Sequence, residues 1–121
     1  MKAEIKYLNS PDIYDLELYI PKEKDNFGFL LELEIGILNK EGGDLFNVMV
    51  CTPKWFSENY KSVKIIFGLH FIFMFEYEYT ILYNMILNYI NNIEEETWDG
   101  LALKLSYLGK WEFEDYKPFK E

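Results

Sequence analysis

Between Phe29 and Ile37 the chain alternates with a period of two. Phe29, Leu31, Leu33, Ile35 and Ile37 fall on one side, while Glu32 and Glu34 fall on the other. Successive side chains of an extended segment point to opposite faces, so this is a strand with one buried face. The following "NKEGGD" carries the glycine pair that a tight reversal needs. "LFNVMVC" then returns as a second strand, apolar on both faces apart from Asn47. The two form a hairpin, and helices elsewhere in the chain are expected to cover its apolar face.

The flanking segments supply more elements. Ala3, Ile5 and Tyr7 alternate with Lys2, Glu4 and Lys6, which predicts a half-buried strand. In "SPDIYDLELYIP", Ser10 is placed to cap a short turn with Pro11 in its first position, and the later part fits an extended chain equally well. In "TPKWF", Thr52 caps a helix and Pro53 sits where a missing N–H is harmless. The run from Ile65 to Phe75 is the most apolar in the chain and reads as a buried strand. Its eleven residues fall short of the roughly 20 that span a bilayer. Leu82, Met85, Ile86, Tyr89, Ile90 and Ile93 recur at helical spacing. Thr97 caps a further helix carrying Leu101, Leu105 and Leu108, with Gly109 as its C′ residue. The expected fold is α+β: an antiparallel sheet with about three helices packed on one face, forming a single domain over 1–121.

Charge narrows the partners. The formal net charge is −9, and all 12 basic residues are lysine. Arginine supplies the forked donors that read phosphate and guanine, so nucleic-acid binding is not expected. An acidic surface instead draws a basic protein partner. The single cysteine, Cys51, allows no intrachain disulfide, and the N-terminal residues show no secretory pattern. A soluble cytoplasmic protein without membrane contact is expected.

Catalytic patterns are sparse. Cys51 immediately precedes a helix cap, and His70 would approach it if their strands paired, so a Cys–His dyad is conceivable. A buried structural cysteine is the simpler reading. Three consecutive glutamates, Glu94 to Glu96, precede a helix start that stabilises negative charge. No cofactor, metal site or catalytic residue is expected. Asp12 and Asp15 serve either as local caps of backbone amides or as an acidic interface rim. Trp55 and Trp98 lie in first helical turns, where packing is the favoured role. In the tail "WEFEDY", alternation places Trp111 and Phe113 on one face to anchor an extended strap. Glu112, Glu114, Asp115 and Tyr116 then point outward for a partner.

"SPDIYDLELYIP", "DNFGFLLELEIG", "VCTPKWF", "TWDGLALKL" and "GKWEFEDY", in this order, resemble the bacterial immunity protein 8 family of polymorphic toxin systems. The resemblance implies a small α+β protein that protects its producer by binding a cognate toxin, with no catalytic residues to carry over. Many toxin domains of such systems are nucleases with basic surfaces, which an acidic, arginine-free chain suits. The toxin-binding candidates are Asp12, Asp15, Trp55, Glu112, Glu114, Asp115 and Tyr116. The alternatives are a small enzyme using Cys51 and His70 or a carboxylate pair, and a housekeeping interaction module.

Overall fold

The computed structural model describes residues 1–114. Strands β1 (Ala3–Asn9), β2 (Gly28–Ile37) and β3 (Asp44–Cys51) form an antiparallel meander. Helix α1 (Pro53–Asn59) leads to β4 (Phe71–Phe73), then come α2 (Tyr79–Asn91), α3 (Trp98–Leu105) and β5 (Lys110–Trp111). The α+β class is as expected.

The hairpin register explains the core. Phe29 lies opposite Val50, Leu31 opposite Val48, and Leu33 opposite Phe46. All six, with Ile35, are essentially inaccessible to water. Leu82, Ile86 and Ile90 of α2 cover this face, as do Leu101, Ala102 and Leu105 of α3. Fully burying an aliphatic side chain contributes about 1.5–3 kcal/mol, so this face dominates the stability. At the turn, Gly42 has φ +83, a conformation that strains any residue with a side chain.

Several elements depart from the sequence-based expectation. The sheet is mixed, because β4 runs parallel to β3. A parallel neighbour requires a crossover, and α1 lies within it. No residue of α1 is buried. The Trp55 ring occupies the space where a side chain on Gly28 would stand, on the face opposite Phe29. Two helices therefore cover the core face and α1 lies against the other. In β1 the register shifts between Ile5 and Tyr7. This bulge turns Tyr7 outward, opposite Glu34, and brings Leu8 over Leu33. The apolar run from Ile65 to Phe75 is strand only at Phe71–Phe73, and Ile65 and Phe67 are almost fully exposed. Gly109 is not the helix terminator. Helix α3 is capped at Ser106, and Gly109 instead passes close to the Asn47 backbone.

The outer edge of β3 is divided. β5 pairs with it antiparallel at Phe46 and Asn47, and β4 pairs parallel from Met49 to Cys51. Trp111 stacks on Phe46 at 6.5 Å, and its indole N–H donates to Asp44 Oδ2 at 2.9 Å. The Trp98 indole donates to the same oxygen at 2.8 Å. One carboxylate thus ties the start of α3 and the final strand to the hairpin. The strap then bends: Glu114 N–H donates to the Trp111 carbonyl, and Phe113 is exposed, leaning edge-on against Trp111. Trp111 anchors this segment as expected; Phe113 is not buried, because the turn breaks the alternation.

Asp44→Ala removes the acceptor from both indoles. Hydrogen bonds to charged groups are worth about 1.5–3 kcal/mol each, and solvent reaching the half-buried Asp44 lowers the pair's worth, so a loss of about 2–4 kcal/mol is expected in urea denaturation. Asp44→Asn keeps a carbonyl acceptor and should lose markedly less. Equal losses in the two variants would show that the indole contacts add nothing.

Candidate partner-binding surface

Residues 10–27, between β1 and β2, contain neither helix nor strand, yet they are fastened to the body. Buried Ser10 accepts from the Asp12 amide at 3.1 Å. Asp12 Oδ2 accepts from the Leu30 amide at 2.8 Å, just beyond the end of the β1–β2 ladder. Asp15 Oδ1 accepts from the amides of Glu17 and Leu18 at 2.9 and 3.3 Å. Leu16 is buried, and its carbonyl accepts from the Tyr77 hydroxyl. The Tyr19 ring meets Phe27, Phe29 and Tyr77 edge-on.

A loop held in this way presents its remaining side chains rather than burying them. Tyr14 is fully exposed, and Leu18, Ile20 and Phe75 are 75%, 86% and 82% exposed. Tyr14 and Leu18 line one shallow cleft and Ile20 a neighbouring one with Glu76 and Tyr77; apolar side chains exposed together among polar ones mark a contact surface. Asp15 and Glu17 stand among them and share a shallow cleft with Asn9, Ile13 and Tyr79 at the start of α2. Burial first, then the neighbouring Tyr79, Tyr19, Asp15 and Glu17, push the Tyr77 phenol up to about 12. Tyr79 is raised chiefly by burial, then by Glu17, Tyr83 and Asp15. The local field around this cleft is therefore negative. With two carboxylates beside an aromatic ring, the cleft has the chemistry to take a lysine or arginine side chain.

Asp12 and Asp15 thus belong to one loop, where each also caps backbone. The other expected site residues lie elsewhere. Trp55 is partly buried over Gly28 and contacts Tyr60 edge-on at 6.2 Å. Glu112 Oε1 accepts from the Leu45 amide at 3.1 Å, extending the outer edge of β3, and Glu114 is partly buried. Leu30, beside Asp12, and Leu45, beside Glu112, lie near opposite ends of the β2–β3 ladder, so these carboxylates do not form one rim. Asp115 and Tyr116 lie outside the described residues. Sequence reasoning missed Tyr14, Glu17, Leu18, Ile20 and Phe75. The available signal for all but Phe75 was "YDLELYI", where apolar and acidic residues intermix just after the turn-forming "SPD".

Cys51 and His70 do not form a pair. Cys51 lies beside Phe73 in the parallel register, three residues beyond His70 and so roughly 10 Å along the strand. The His70 Nε2 is 2.7 Å from the Ser106 carbonyl. Cys51 is fully buried, and burial pushes its thiol up to about 11. Among the described residues, no three His, Cys, Asp or Glu side chains are grouped to hold a metal ion, and no helix is long and apolar enough to cross a membrane.

With its pKa near 11, the Cys51 thiol is ionised in only about one molecule in a thousand at pH 8. Alkylation of folded protein by iodoacetamide should be orders of magnitude slower than after unfolding in urea; equal rates would contradict a buried thiol. Cys51 and Tyr77 both titrate above their ordinary values of 9.0 and 10.0. Their contribution to stability is whole below about pH 9 and is lost as pH rises through 11 to 12. Denaturation midpoints should fall over that window, and Cys51→Ala should remove part of the fall.

No curated protein and no solved structure matches the chain. The family model described as immunity protein 8 matches residues 3–116, nearly the whole length and including the loop, the hairpin and the Trp111 strap. The chain belongs to the immunity protein 8 family.

Proposed function

We propose that this protein is a cytoplasmic immunity protein that binds and neutralises the cognate toxin of a polymorphic toxin system, without catalysis of its own. Family membership supplies the class. The observation that carries the binding mode is the anchored, acidic, apolar loop around Tyr14. This loop and the strand-to-helix turn after β4 carry Asp12, Asp15, Glu17, Glu23, Asp25, Glu76 and Glu78 against Lys22 and Lys24. Tyr14, Leu18 and Ile20 are the contact anchors, and the surrounding carboxylates steer a basic toxin surface toward them. Neutralisation follows when the bound protein covers the toxin's functional surface.

Two measurements test this reading. Cells expressing the toxin encoded beside this gene should survive only when this protein is co-expressed. With purified toxin, Tyr14→Ala should weaken binding by about tenfold or more, the level of an interface hot spot. Association should slow as salt rises, since the Debye length is about 8 Å at physiological ionic strength. Failure to protect, or a salt-independent association rate with Tyr14→Ala indistinguishable from wild type, would contradict it.

A further inference from the structure

A second exposed apolar surface begins where the first ends. The main-chain bonds Met49 N–H to His70 O and Met74 N–H to Cys51 O place those β4-side groups toward β3. Main-chain groups along a strand alternate in direction, so the N–H and C=O of Phe71 and Phe73 face away from the sheet. Among the described residues they have no main-chain partner. Beside this open edge, the rings of Phe56, Tyr60, Phe71 and Phe73 form a floor, with centroid separations of 4.9 to 5.9 Å. Of these, Phe56, Tyr60 and Phe73 line a cleft of about 510 Å³, which Val63 and Ile65 of the preceding segment complete.

The charge of this cleft is the reverse of the rest of the chain. Lys61 and Lys64 line it, and no carboxylate does. Among the described residues neither lysine is within ion-pair distance of an acidic group. An unpaired strand edge beside an apolar cleft is the geometry of strand addition, in which main-chain bonds give affinity and side-chain pockets give selectivity. We infer that the edge of β4 accepts an extended segment of the partner, with apolar side chains in the cleft and carboxylates facing Lys61 and Lys64. A second copy of this chain fits poorly. A two-fold pairing would set the same lysines against each other, and like charges across an interface are costly.

The segment belongs to the toxin, and for that identity the inference rests on the proposed function. The two surfaces adjoin: only Met74 and Phe75 separate Phe73 from Glu76, a reach of at most about 11 Å. One partner can therefore present a basic patch to the Tyr14 loop and an acidic-apolar strand to β4.

The test is equilibrium binding of purified toxin at fixed salt to wild type, Lys61→Glu/Lys64→Glu and Phe73→Pro. The charge reversal touches only surface residues and should weaken binding about tenfold or more. The proline removes the outward N–H and one ring of the cleft while leaving the bonds to β3 intact, and should weaken binding to a similar extent. If Phe73→Pro does not fold, the lysine variant decides alone. Unchanged or tighter binding by the lysine variant, while Tyr14→Ala still weakens it, overturns this inference and leaves the functional reading standing. Failure of wild type to bind overturns both. Concentration-dependent dimerisation in sedimentation, altered by the charge reversal, would assign the edge to a second copy and overturn the inference.

Discussion

The outer edge of β3 organises the molecule. Its inner edge is taken by β2, and the paired register fixes which residues form the core, because a slip by one residue would turn every buried side chain outward. The outer edge is shared: β5 takes Phe46 and Asn47, and β4 takes Met49 to Cys51. Neither short strand is stable alone. Each is held by something else, β5 by the stacking of Trp111 on Phe46 and its bond to Asp44, and β4 by the rings of Phe56 in α1 and of Tyr60 just after it. The division leaves β4 with one side open.

That open side and the Tyr14 loop follow from one arrangement. The crossover through α1 places β4 parallel to β3, and the chain then turns through Phe75 and Tyr77 into α2. Tyr77 reaches back to the Leu16 carbonyl and fastens the loop. The same turn that ends β4 therefore supports the acidic surface. A rigid base beneath exposed side chains lowers the ordering cost of binding, which favours recognition over looseness as the reason for their exposure.

The hairpin, the caps at Thr52 and Thr97 and the buried stripe of α2 were legible in the sequence. Each is local: period-two alternation, a capping residue before proline or tryptophan, and helical spacing at Leu82, Ile86 and Ile90. What escaped depended on distant partners. The bulge near Lys6 has no local marker and appears only when β1 is laid on β2. Apolar content in the Ile65–Phe75 run implied burial, but burial needs a covering layer, and α2 and α3 are engaged on the other face. Asp44 reads as an ordinary loop carboxylate, since its role requires two tryptophans more than fifty residues away. For the candidate surface, Asp12 and Asp15 were singled out because acidic residues beside "SP" mark a functional or capping loop, and both accept backbone amides in the structure. Their apolar companions were not, because exposure is invisible to composition.

Hydrogen exchange of the free and toxin-bound protein, resolved by peptide, tests the account most directly. It predicts slowed exchange on binding in residues 12–20 and 71–77, with little change along β1 and in α3. Protection confined to β1, α3 or the Glu112 segment, with the Tyr14 loop exchanging as in the free protein, would contradict it.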